Sequence, residues 1–444
     1  MAVFPAPCIQ PLLLFIEIMS RPKVIAVLAT LDTKGNEAEF IRDRIAVHGI
    51  RPILIDAGIL GVPMTPPDVS REQVAWAAGV TLPALRRLSK SEAIARQGEG
   101  LRRILQKLFS HGQLDGVIGI GGAQGTTICT QAMQALPLGV PKLMLSTIAS
   151  GRFRFGPYIG TKDICIMFSV TDIAGINAIN RPIFENAANA IAGMVTHGTF
   201  NVPIQQKTIA ITMLGITTPC VTRIKTALEN DGYEVAVFHA SGPGGAAMEE
   251  LIMAGRFAGV LDISTHELIN DLFGGLVGTH RRLEALAYKE IPAVISVGGL
   301  DVIAIESTSI TSSTWSSRPR VAHNAQIIHI SASPAEMRET AQVMARRLNS
   351  ALGPTLVIIP MQGFSEFNRP GGELWAPDSI RAFVTQLQKE LRPEIPALFM
   401  DAHINDPEFA AVSASCFSQL MQGVPPQEVA SHLSQEIAYE HLSS

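Results

Sequence analysis

The chain has 444 residues, enough for two or three domains of ordinary length. Hydrophobic residues make up 47% of it and charged residues 17%, so we expect a large buried core and exclude a disordered chain. The formal net charge of −4 argues against a general nucleic-acid-binding surface.

Residues 1–20 give little information about the fold. Their apolar segment, residues 11–19, is too short to span a bilayer, and no Lys or Arg precedes it. We expect translation to start at Met19 and treat residues 1–20 as an uninformative extension. No later segment is long and charge-free enough to cross a membrane, and five scattered cysteines lack zinc or redox spacing. These features predict a protein of the reducing cytoplasm.

The N-terminal half alternates short apolar runs with longer segments of helical spacing. Continuous, β-branched runs are typical of buried strands, and they occur at residues 23–30, 51–58, 116–120, 141–147 and 163–170. Helical spacing follows the first strand as far as Gly49 and recurs at residues 91–111, after Gln124 and through "NAANAIAGMVTH".

The same alternation of apolar runs and helical segments begins again after "GTFNVPIQQ", residues 198–206, which we take as the domain boundary. Strand candidates in the second half include "KTIAITML", "YEVAVFHA", "FAGVLDIS", "AVISVGG", "AQIIHIS", "TLVIIP" and "ALFMDAH". Strands that alternate with helices imply right-handed βαβ units and parallel sheets. We therefore predict the α/β class, with two Rossmann-like parallel-sheet domains in tandem at residues 21–202 and 203–444.

Ligands of open parallel sheets bind at the carboxyl ends of the strands, and the first such loop is "ATLDTKG", residues 29–35. Asp32 can hold a metal or a ribose hydroxyl, Thr33 offers a hydroxyl, and Lys34 is a mobile cation suited to a phosphate. The alternative is a helix N-cap by Asp32 or Thr33, with Lys34 merely solvated.

The second loop is the glycine turn "GIGGAQGTT", residues 119–127, between a strand and a helix. Glycines let backbone amides approach a ligand, and a helix start adds donors and a positive dipole end. The turn therefore predicts an anion site at Gly121, Gly122, Gln124, Gly125 and Thr126. It fits neither the P-loop nor the regular dinucleotide fingerprint, and its alternative is a tight turn in a packed α/β unit.

The third loop is "STIASGRFRFGPYIGTKD", residues 146–163. Loops of this length between buried strands are usually functional or disordered. The hydroxyls of Thr147 and Ser150, with Arg152 and Arg154 beside a glycine, would suit a triphosphate. The alternative is a solvated surface excursion.

The second half contains its own glycine turn, in which Gly242, Gly244 and Ala247 fit the pattern G-x-G-x-x-A. Asp262 ends the next strand at about the distance expected of a ribose-binding acid. This turn supports an alternative interpretation, an NAD-linked oxidoreductase.

Other predicted strand ends of the second half also carry ionisable groups. We predict that Asp262, Glu267, His323 and His403 are catalytic acid–base candidates at one sheet edge. Taken singly, each fits better as a cap or a hydrogen-bonded loop residue. His-x-x-x-His metal spacing, the G-x-S-x-G elbow and kinase loop motifs are absent from the sequence.

Many ordered motifs together resemble one family, the N-terminal ATP-binding domain of the tomato mosaic virus resistance protein and its bacterial homologues. They run from about residue 23 to beyond Asp406 and include "TLDTKG", "GVIGIGGAQGTT", "PKLMLSTIASG", "VTDIAGIN", "GYEVAVFHASGPGGAAME", "VGGLD" and "HIND".

The resemblance implies two Rossmann-like subdomains, a tendency to dimerise and an ATP site in the first subdomain. The matching positions are Asp32, Thr33 and Lys34; Gly121, Gly122, Gly125 and Thr126; Thr147, Ala149, Ser150 and Gly151; and Asp172. Gln124 stands where the plant sequence has a glycine, and Arg152 and Arg154 add positive charge to a longer loop. In the plant protein a TIM-barrel domain of the phosphoenolpyruvate-mutase type follows, so a separate protein of that kind is an expected partner.

The main hypothesis is thus a cytoplasmic, dimeric ATP-binding protein, an enzyme acting on an unidentified small metabolite at the cleft between two α/β domains. Lys34, with Arg152 or Arg154, would neutralise the phosphates, and Mg²⁺ would be carried on them with Asp32 or Asp163 in reach. The alternatives are an ATP-regulated dimeric module for a protein partner and the NAD-linked oxidoreductase. Nucleic acid and membrane are not expected partners.

Overall fold

The computed structural model describes residues 21–150, 156–198, 207–312 and 315–432. The chain forms two compact units, Met1–Val202 and Pro203–Ser444. Each unit is built on its own parallel sheet, so the predicted fold class is confirmed.

The first unit contains a five-stranded parallel sheet in the order β2-β1-β3-β4-β5. Its strands are β1 (Val24–Ala29), β2 (Arg51–Asp56), β3 (Gly116–Gly121), β4 (Lys142–Ser146) and β5 (Cys165–Phe168). Every residue of the first, third and fourth strands is buried. This burial explains why these strands have continuous apolar runs, since helices cover both faces of such a sheet.

Seven helices accompany this sheet among the described residues. They are α1 (Leu31–Ala46), α2 (Arg71–Ala77), α3 (Leu82–Leu85), α4 (Lys90–Ser110), α5 (Ala123–Met133), α6 (Gly156–Ile159) and α7 (Arg181–His197). On one face of the sheet the core includes Ile41 of α1 and Phe184 of α7. On the other face it includes Leu101 of α4 and Met133 of α5. The unit is therefore a three-layer α/β structure.

The second unit contains a six-stranded parallel sheet and, inserted into its chain, a three-stranded antiparallel sheet. The strands are β6 (Thr208–Met213), β7 (Glu234–His239), β8 (Gly259–Asp262), β9 (Ala293–Ile295), β10 (Val302–Glu306), β11 (Arg320–Ala322), β12 (Ile327–Ser331), β13 (Thr355–Pro360) and β14 (Ala397–Met400). The parallel order is β7-β6-β8-β9-β13-β14, and the antiparallel order is β10-β12-β11. The sequence pattern predicted β12 as a strand but did not predict its antiparallel pairing.

The longer helices of the second unit are α8 (Thr218–Asn230), α9 (Pro243–Met253), α10 (Glu267–Leu272), α11 (Pro334–Leu348), α12 (Pro377–Glu390) and α13 (Pro407–Met421). Proline occupies the first or second helical position of all of these except α10. This position suits proline, because its missing N–H would have no helical partner there. Among the described residues, no helix has the length and apolar character needed to cross a membrane.

The strand orders locate the point in each sheet where the chain reverses its direction of winding. From β1 the chain goes outward to β2 and then returns across β1 to β3. From β6 it goes outward to β7 and returns to β8. The loops that leave the two strands beside this switch point diverge, so the crevice at their carboxyl ends is where ligands of doubly wound sheets bind.

Candidate nucleotide-binding pocket

The first unit has a pocket of about 760 Å³ beside its switch point. Its wall combines the residues that follow β1, β2 and β3 with α3 and the start of α4. The lining residues are Thr30, Asp32, Thr33, Lys34, Ala57, Ile59, Leu60, Leu85, Arg86, Leu88, Lys90, Ala93, Ile94, Gly122, Ala123, Gln124, Gly125 and Ile128. The structure therefore brings two of the three predicted loops to one cavity.

The segment after β1 is the first turn of α1 rather than a loop. The carbonyl oxygen of Thr30 accepts hydrogen bonds from the amides of Thr33 at 3.1 Å and Lys34 at 2.8 Å. The helix is then kinked at Lys34, whose φ of −129° and ψ of 18° are not helical. The Lys34 ammonium donates to the carbonyl oxygen of Ile173. This hydrogen bond connects the first turn of α1 to the segment that follows β5.

Asp32 is the only carboxylate among the residues that line the pocket. Gly61, with a φ of +60°, packs directly on it, since a Cβ at that glycine would lie 2.8 Å from the Cβ of Asp32. Partial burial raises the pKa of Asp32, while Arg71 lowers it and Asp56 raises it further.

The glycine turn joins β3 to α5 without a side-chain cap on the helix. Gly121 permits close packing, because a Cβ there would lie 2.7 Å from the Cα of Gly125. Gly122 is the N-cap residue, and the first-turn amides of a helix have no partner within it. Gly122, Gln124 and Gly125 line the pocket, so the start of α5, with its positive dipole end, faces the cavity.

Thr126 does not line the pocket. Its hydroxyl is buried and shares a hydrogen bond of 2.7 Å with the hydroxyl of Ser146 at the end of β4. Its amide donates to the carbonyl oxygen of Gly122 at 2.8 Å. The side chain therefore fastens α5 to the sheet, which corrects the expectation that it contacts the phosphates.

Among its described residues, the third predicted loop contributes none to the lining of this pocket. Thr147, Ala149 and Ser150 follow β4 outside the pocket wall, and Gly151, Arg152 and Arg154 lie outside the described residues. Asp172 accepts a hydrogen bond from the adjacent amide of Ile173 at 2.7 Å and does not line the pocket.

Asp163 lies at the opposite edge of the sheet. It precedes β5 and pairs at 2.7 Å with Lys142, the first residue of β4, while it also accepts from the amide of Gly139 at 2.8 Å. These partners stand at the amino ends of the strands, because all strands of this sheet are parallel. The prediction that Asp163 reaches a phosphate-bound Mg²⁺ is wrong.

Two cations of the pocket wall, Arg86 and Lys90, were not predicted. Lys90 is the first residue of α4, whose start is fixed by a capping box between Ser89 and Glu92. Arg86 follows α3, and its Nε donates to the carbonyl oxygen of Ile59 at 2.7 Å. Only the basic character of "LRRLSK", residues 85–90, could have drawn attention to them.

A buried ion pair fixes the backbone at the end of β2, next to the pocket. Arg71 Nε lies 2.6 Å from Asp56 Oδ2, and both side chains are at most 2% exposed. The other carboxylate oxygen of Asp56 accepts from the amides of Leu31 at 3.1 Å and Gly58 at 2.8 Å. Asp56 therefore connects the end of β2 to the first turn of α1, where Asp32 and Lys34 are located.

In the second unit the glycine turn after β7 is already occupied by a side chain. Glu267 accepts hydrogen bonds from the amides of Gly242 at 2.8 Å and Gly245 at 3.0 Å. These are donors that a dinucleotide pyrophosphate would need. In addition, β7 is the edge strand of its sheet, away from the switch point between β6 and β8. The geometry contradicts the NAD interpretation.

Asp262 and Glu267 belong to a buried network around Arg282, whose side chain is 0% exposed. The guanidinium lies 2.6 Å from Asp262, 2.5 Å from Glu267 and 3.0 Å from Glu249. Burial raises the pKa of Glu249 to about 7, against the lowering effect of Arg282. Both carboxylates are thus paired and buried, which favours a structural role over the prediction that Asp262 and Glu267 are catalytic acid–base groups.

The two predicted catalytic histidines of the second unit have different surroundings. His323 is exposed, and its ring centre lies 5.0 Å from that of His329. His403 is buried, accepts from the amide of Asn405 at 3.1 Å and donates to the carbonyl oxygen of Ser365 at 2.9 Å. Among the described residues, no group of three or more His, Cys, Asp or Glu side chains has the arrangement of a metal site.

These observations define a tandem α/β protein with a doubly wound sheet in each unit and a pocket at the switch point of the first. The chain belongs to the UPF0261 family: the N-terminal domain of this uncharacterised protein family matches residues 23–199, and its C-terminal domain matches residues 206–421.

Similar proteins occur in bacteria and in tomato. A UPF0261 protein of Clostridium tetani is 36% identical over 403 residues, which cover 90% of this chain and 99% of that protein. UPF0261 protein RA0729 of Rhizobium meliloti is 37% identical over 404 residues, with the same two coverages. The ToMV susceptible protein tm-1(GCR26) of Solanum lycopersicum is 35% identical over 346 residues, 74% of this chain and 45% of the tomato protein. The family resemblance found in the sequence motifs is confirmed.

Proposed function

We propose that the pocket of the first unit binds ATP together with Mg²⁺. The observation that carries the proposal is the convergence on one cavity of the uncapped start of α5, the cations Lys34, Arg86 and Lys90, and an apolar wall. A volume of about 760 Å³ lies within the range of about 300–1,000 Å³ that is usual for small-molecule sites.

The polar side of the pocket suits a triphosphate. The amides at the start of α5 offer hydrogen-bond donors and a positive dipole end. Three cations and a single carboxylate line the cavity, so its local charge is positive although the whole chain carries a net charge of −4. Asp32 is the pocket's carboxylate, and Mg²⁺ that keeps several of its waters can bridge it to the phosphates.

The other side of the pocket suits a nucleobase. Its apolar lining residues are Ala57, Ile59, Leu60, Leu85, Leu88, Ala93, Ile94 and Ile128. Apolar walls with a few placed polar groups are the usual composition of cofactor sites. The polar and apolar sides together favour a nucleotide over inorganic phosphate or a purely apolar ligand.

Calorimetric titration of Mg²⁺–ATP against wild type, Lys90→Ala and Lys107→Ala tests the proposal. Lys90 lines the pocket, whereas Lys107 is an exposed residue of the same helix away from it. Loss of one charge-assisted phosphate contact predicts an affinity about tenfold weaker for Lys90→Ala. Lys107→Ala should match wild type. Absence of binding by wild type, or equal affinities of the two variants, would contradict the proposal.

A further inference from the structure

A ring of buried side chains lies at the carboxyl edge of the second unit's parallel sheet, next to the predicted histidine His323. His266 follows β8, Asp301 follows β9, and residues 365–368 follow β13. His329 comes from β12 of the antiparallel sheet. Four separate chain segments thus meet where the strands of the parallel sheet end.

Two hydrogen bonds and two ring–ring contacts connect these segments in a closed circuit. His266 Nδ1 lies 2.7 Å from the carbonyl oxygen of Gly299, and the Ser365 hydroxyl donates to Asp301 Oδ2 at 2.5 Å. The ring centres of Phe367 and His329 are 5.8 Å apart. His329 is in turn stacked on His266, with ring centres 6.0 Å apart and an interplanar angle of 6°.

Two glycines permit this convergence. Gly299 has a φ of +77°, and a Cβ there would lie 3.0 Å from the Cβ of His266. Gly363 has a φ of +129°, and a Cβ there would lie 1.5 Å from the carbonyl oxygen of Asn368. Both positions therefore require the absence of a side chain, so the close approach of the loops is built into the sequence.

Three polar atoms of the ring have no hydrogen bond of ordinary length and angle among the described residues: Asp301 Oδ1, Asn368 Nδ2 and His329 Nδ1. The Asn368 side chain nevertheless lies near enough to Asp301 to lower the pKa of its carboxyl, so a ligand hydroxyl at Asp301 would compete with that amide. Asp301, Asn368 and His329 are 2%, 1% and 7% exposed, respectively. Buried polar atoms in native proteins are nearly always paired, and exceptions call for a water, an ion or a ligand. One atom is a donor, one belongs to a carboxyl group, and one is an imidazole nitrogen.

The ring contains no positive charge near neutral pH. Burial lowers the pKa of His266 to about 4 and that of His329 to about 3. Burial also raises the pKa of Asp301 to about 6, while the nearby polar groups of Ser365 and Asn368 act in the opposite direction. Neither Lys nor Arg belongs to the circuit, so an anionic ligand would find no counter-charge there.

We propose that this ring is the binding site for a small, neutral, polyhydroxylated compound of the polyol or sugar type. A hydroxyl group both donates and accepts, so hydroxyls on neighbouring carbons can satisfy Asp301, Asn368 and His329 together. The half-buried Phe367 and the exposed His323, 5.0 Å from His329, mark the side of the ring nearest to solvent. The site is independent of the ATP pocket and does not require that proposal.

NMR of the full chain with ¹³C-labelled histidine tests this inference. The probes are glycerol and ribose as neutral polyols, sulfate as an anion and methylammonium as a cation. We expect a neutral polyol to shift the His266 and His329 ring signals saturably in the millimolar range. The exposed His48 of the first unit should stay unchanged and serves as the internal control.

The variants Asp301→Ala and Asp378→Ala make the test specific. Asp378 is an exposed residue in the first turn of α12. Asp301→Ala should weaken the polyol response at least about tenfold, whereas Asp378→Ala should leave it unchanged. If Asp301→Ala does not fold, the test is the selectivity of the wild-type chain for polyols over sulfate and methylammonium. The inference is overturned if no probe shifts these signals, because internal water would then be the partner of the unpaired atoms. It is also overturned if sulfate or methylammonium shifts the signals more than the polyols do.

Discussion

At the scale of single residues, two buried arginines of this protein lie against carboxylate partners. Arg71 pairs with Asp56 in the first unit, and Arg282 pairs with three carboxylates in the second. Such groups cannot serve as open catalytic side chains while they remain paired. Removing one partner of a buried pair costs about 3–5 kcal/mol, because the other charge stays buried without compensation.

Asp301 differs because no cation accompanies it, and this predicts a pH dependence. Its pKa is raised from 3.8 to about 6, so it favours folding below about pH 4, and this contribution is lost as the pH rises through about 6. A shift of that size corresponds to about 3 kcal/mol. Asp301→Asn, which stays neutral, should therefore gain stability relative to wild type between pH 4 and pH 6.

Urea denaturation of the full chain at several pH values measures this difference in the free energy of unfolding. Asp378→Asn provides the control, because Asp378 is an exposed carboxylate of the same unit. Because its carboxylate is exposed, the effect of Asp378→Asn on the free energy of unfolding should be small at every pH. An Asp301→Asn difference that does not change with pH would show that Asp301 is not a titrating buried acid.

At the scale of secondary-structure elements, the start of α5 depends on one close contact. Gly121 ends β3 and Gly125 lies in the first turn of the helix, and a Cβ on Gly121 would stand 2.7 Å from the Cα of Gly125. At Gly122 the nearest atom to a Cβ would be the Thr147 hydroxyl oxygen, at 3.6 Å. The two neighbouring glycines thus differ sharply in how much space they leave.

Gly121→Ala should destabilise the protein by about 1–3 kcal/mol, since the added methyl group must displace α5 from the sheet. Gly122→Ala should be tolerated, because its φ of −77° suits any residue and an ordinary contact distance is available. Thermal unfolding of the two variants beside wild type checks the contrast. Equal melting temperatures of the two variants would contradict the described packing.

The elements also show which parts of the site the sequence could predict. Continuous apolar strands and a glycine-rich helix start have strong local patterns, so β1, β3 and the strand-to-helix turn at residues 121–125 were predicted correctly as structural elements. Anion binding by the turn stays a prediction. Arg86 and Lys90 were missed because they come from helices between β2 and β3. Only tertiary packing brings those helices over the sheet edge.

Other predictions about the sites differ from the structure because the spacing of residues along the chain does not determine where their side chains lie in the fold. Thr126 is separated from Gly122 by one helical turn, and whether it faces ligand or sheet depends on the rotation of α5. Asp163 precedes its strand, whereas the strand-end rule concerns residues that follow one. The pairing of Glu267 with the glycine turn after β7 spans 25 residues and has no local signature.

At the scale of the whole molecule, the two units share one architecture but differ in the side chains near the carboxyl ends of their strands. Each has a parallel sheet that reverses its winding after its second strand in chain order. The first unit presents an open, positively charged pocket at that point. In its ring of buried side chains the second presents the uncharged imidazoles of His266 and His329 and one carboxyl group without a cation, that of Asp301. The two sites therefore suit ligands of different charge.

A crystal structure of the full chain grown with ATP and Mg²⁺ would show where the nucleotide binds. We expect it in the pocket of the first unit, with phosphate oxygens within hydrogen-bonding distance of the amides of Ala123–Gly125 and the base against Ile59 and Leu85. We also expect Lys90 beside the phosphates. Nucleotide bound at another place, such as the turn that begins at Gly242, or no nucleotide at saturating concentration, would contradict this expectation.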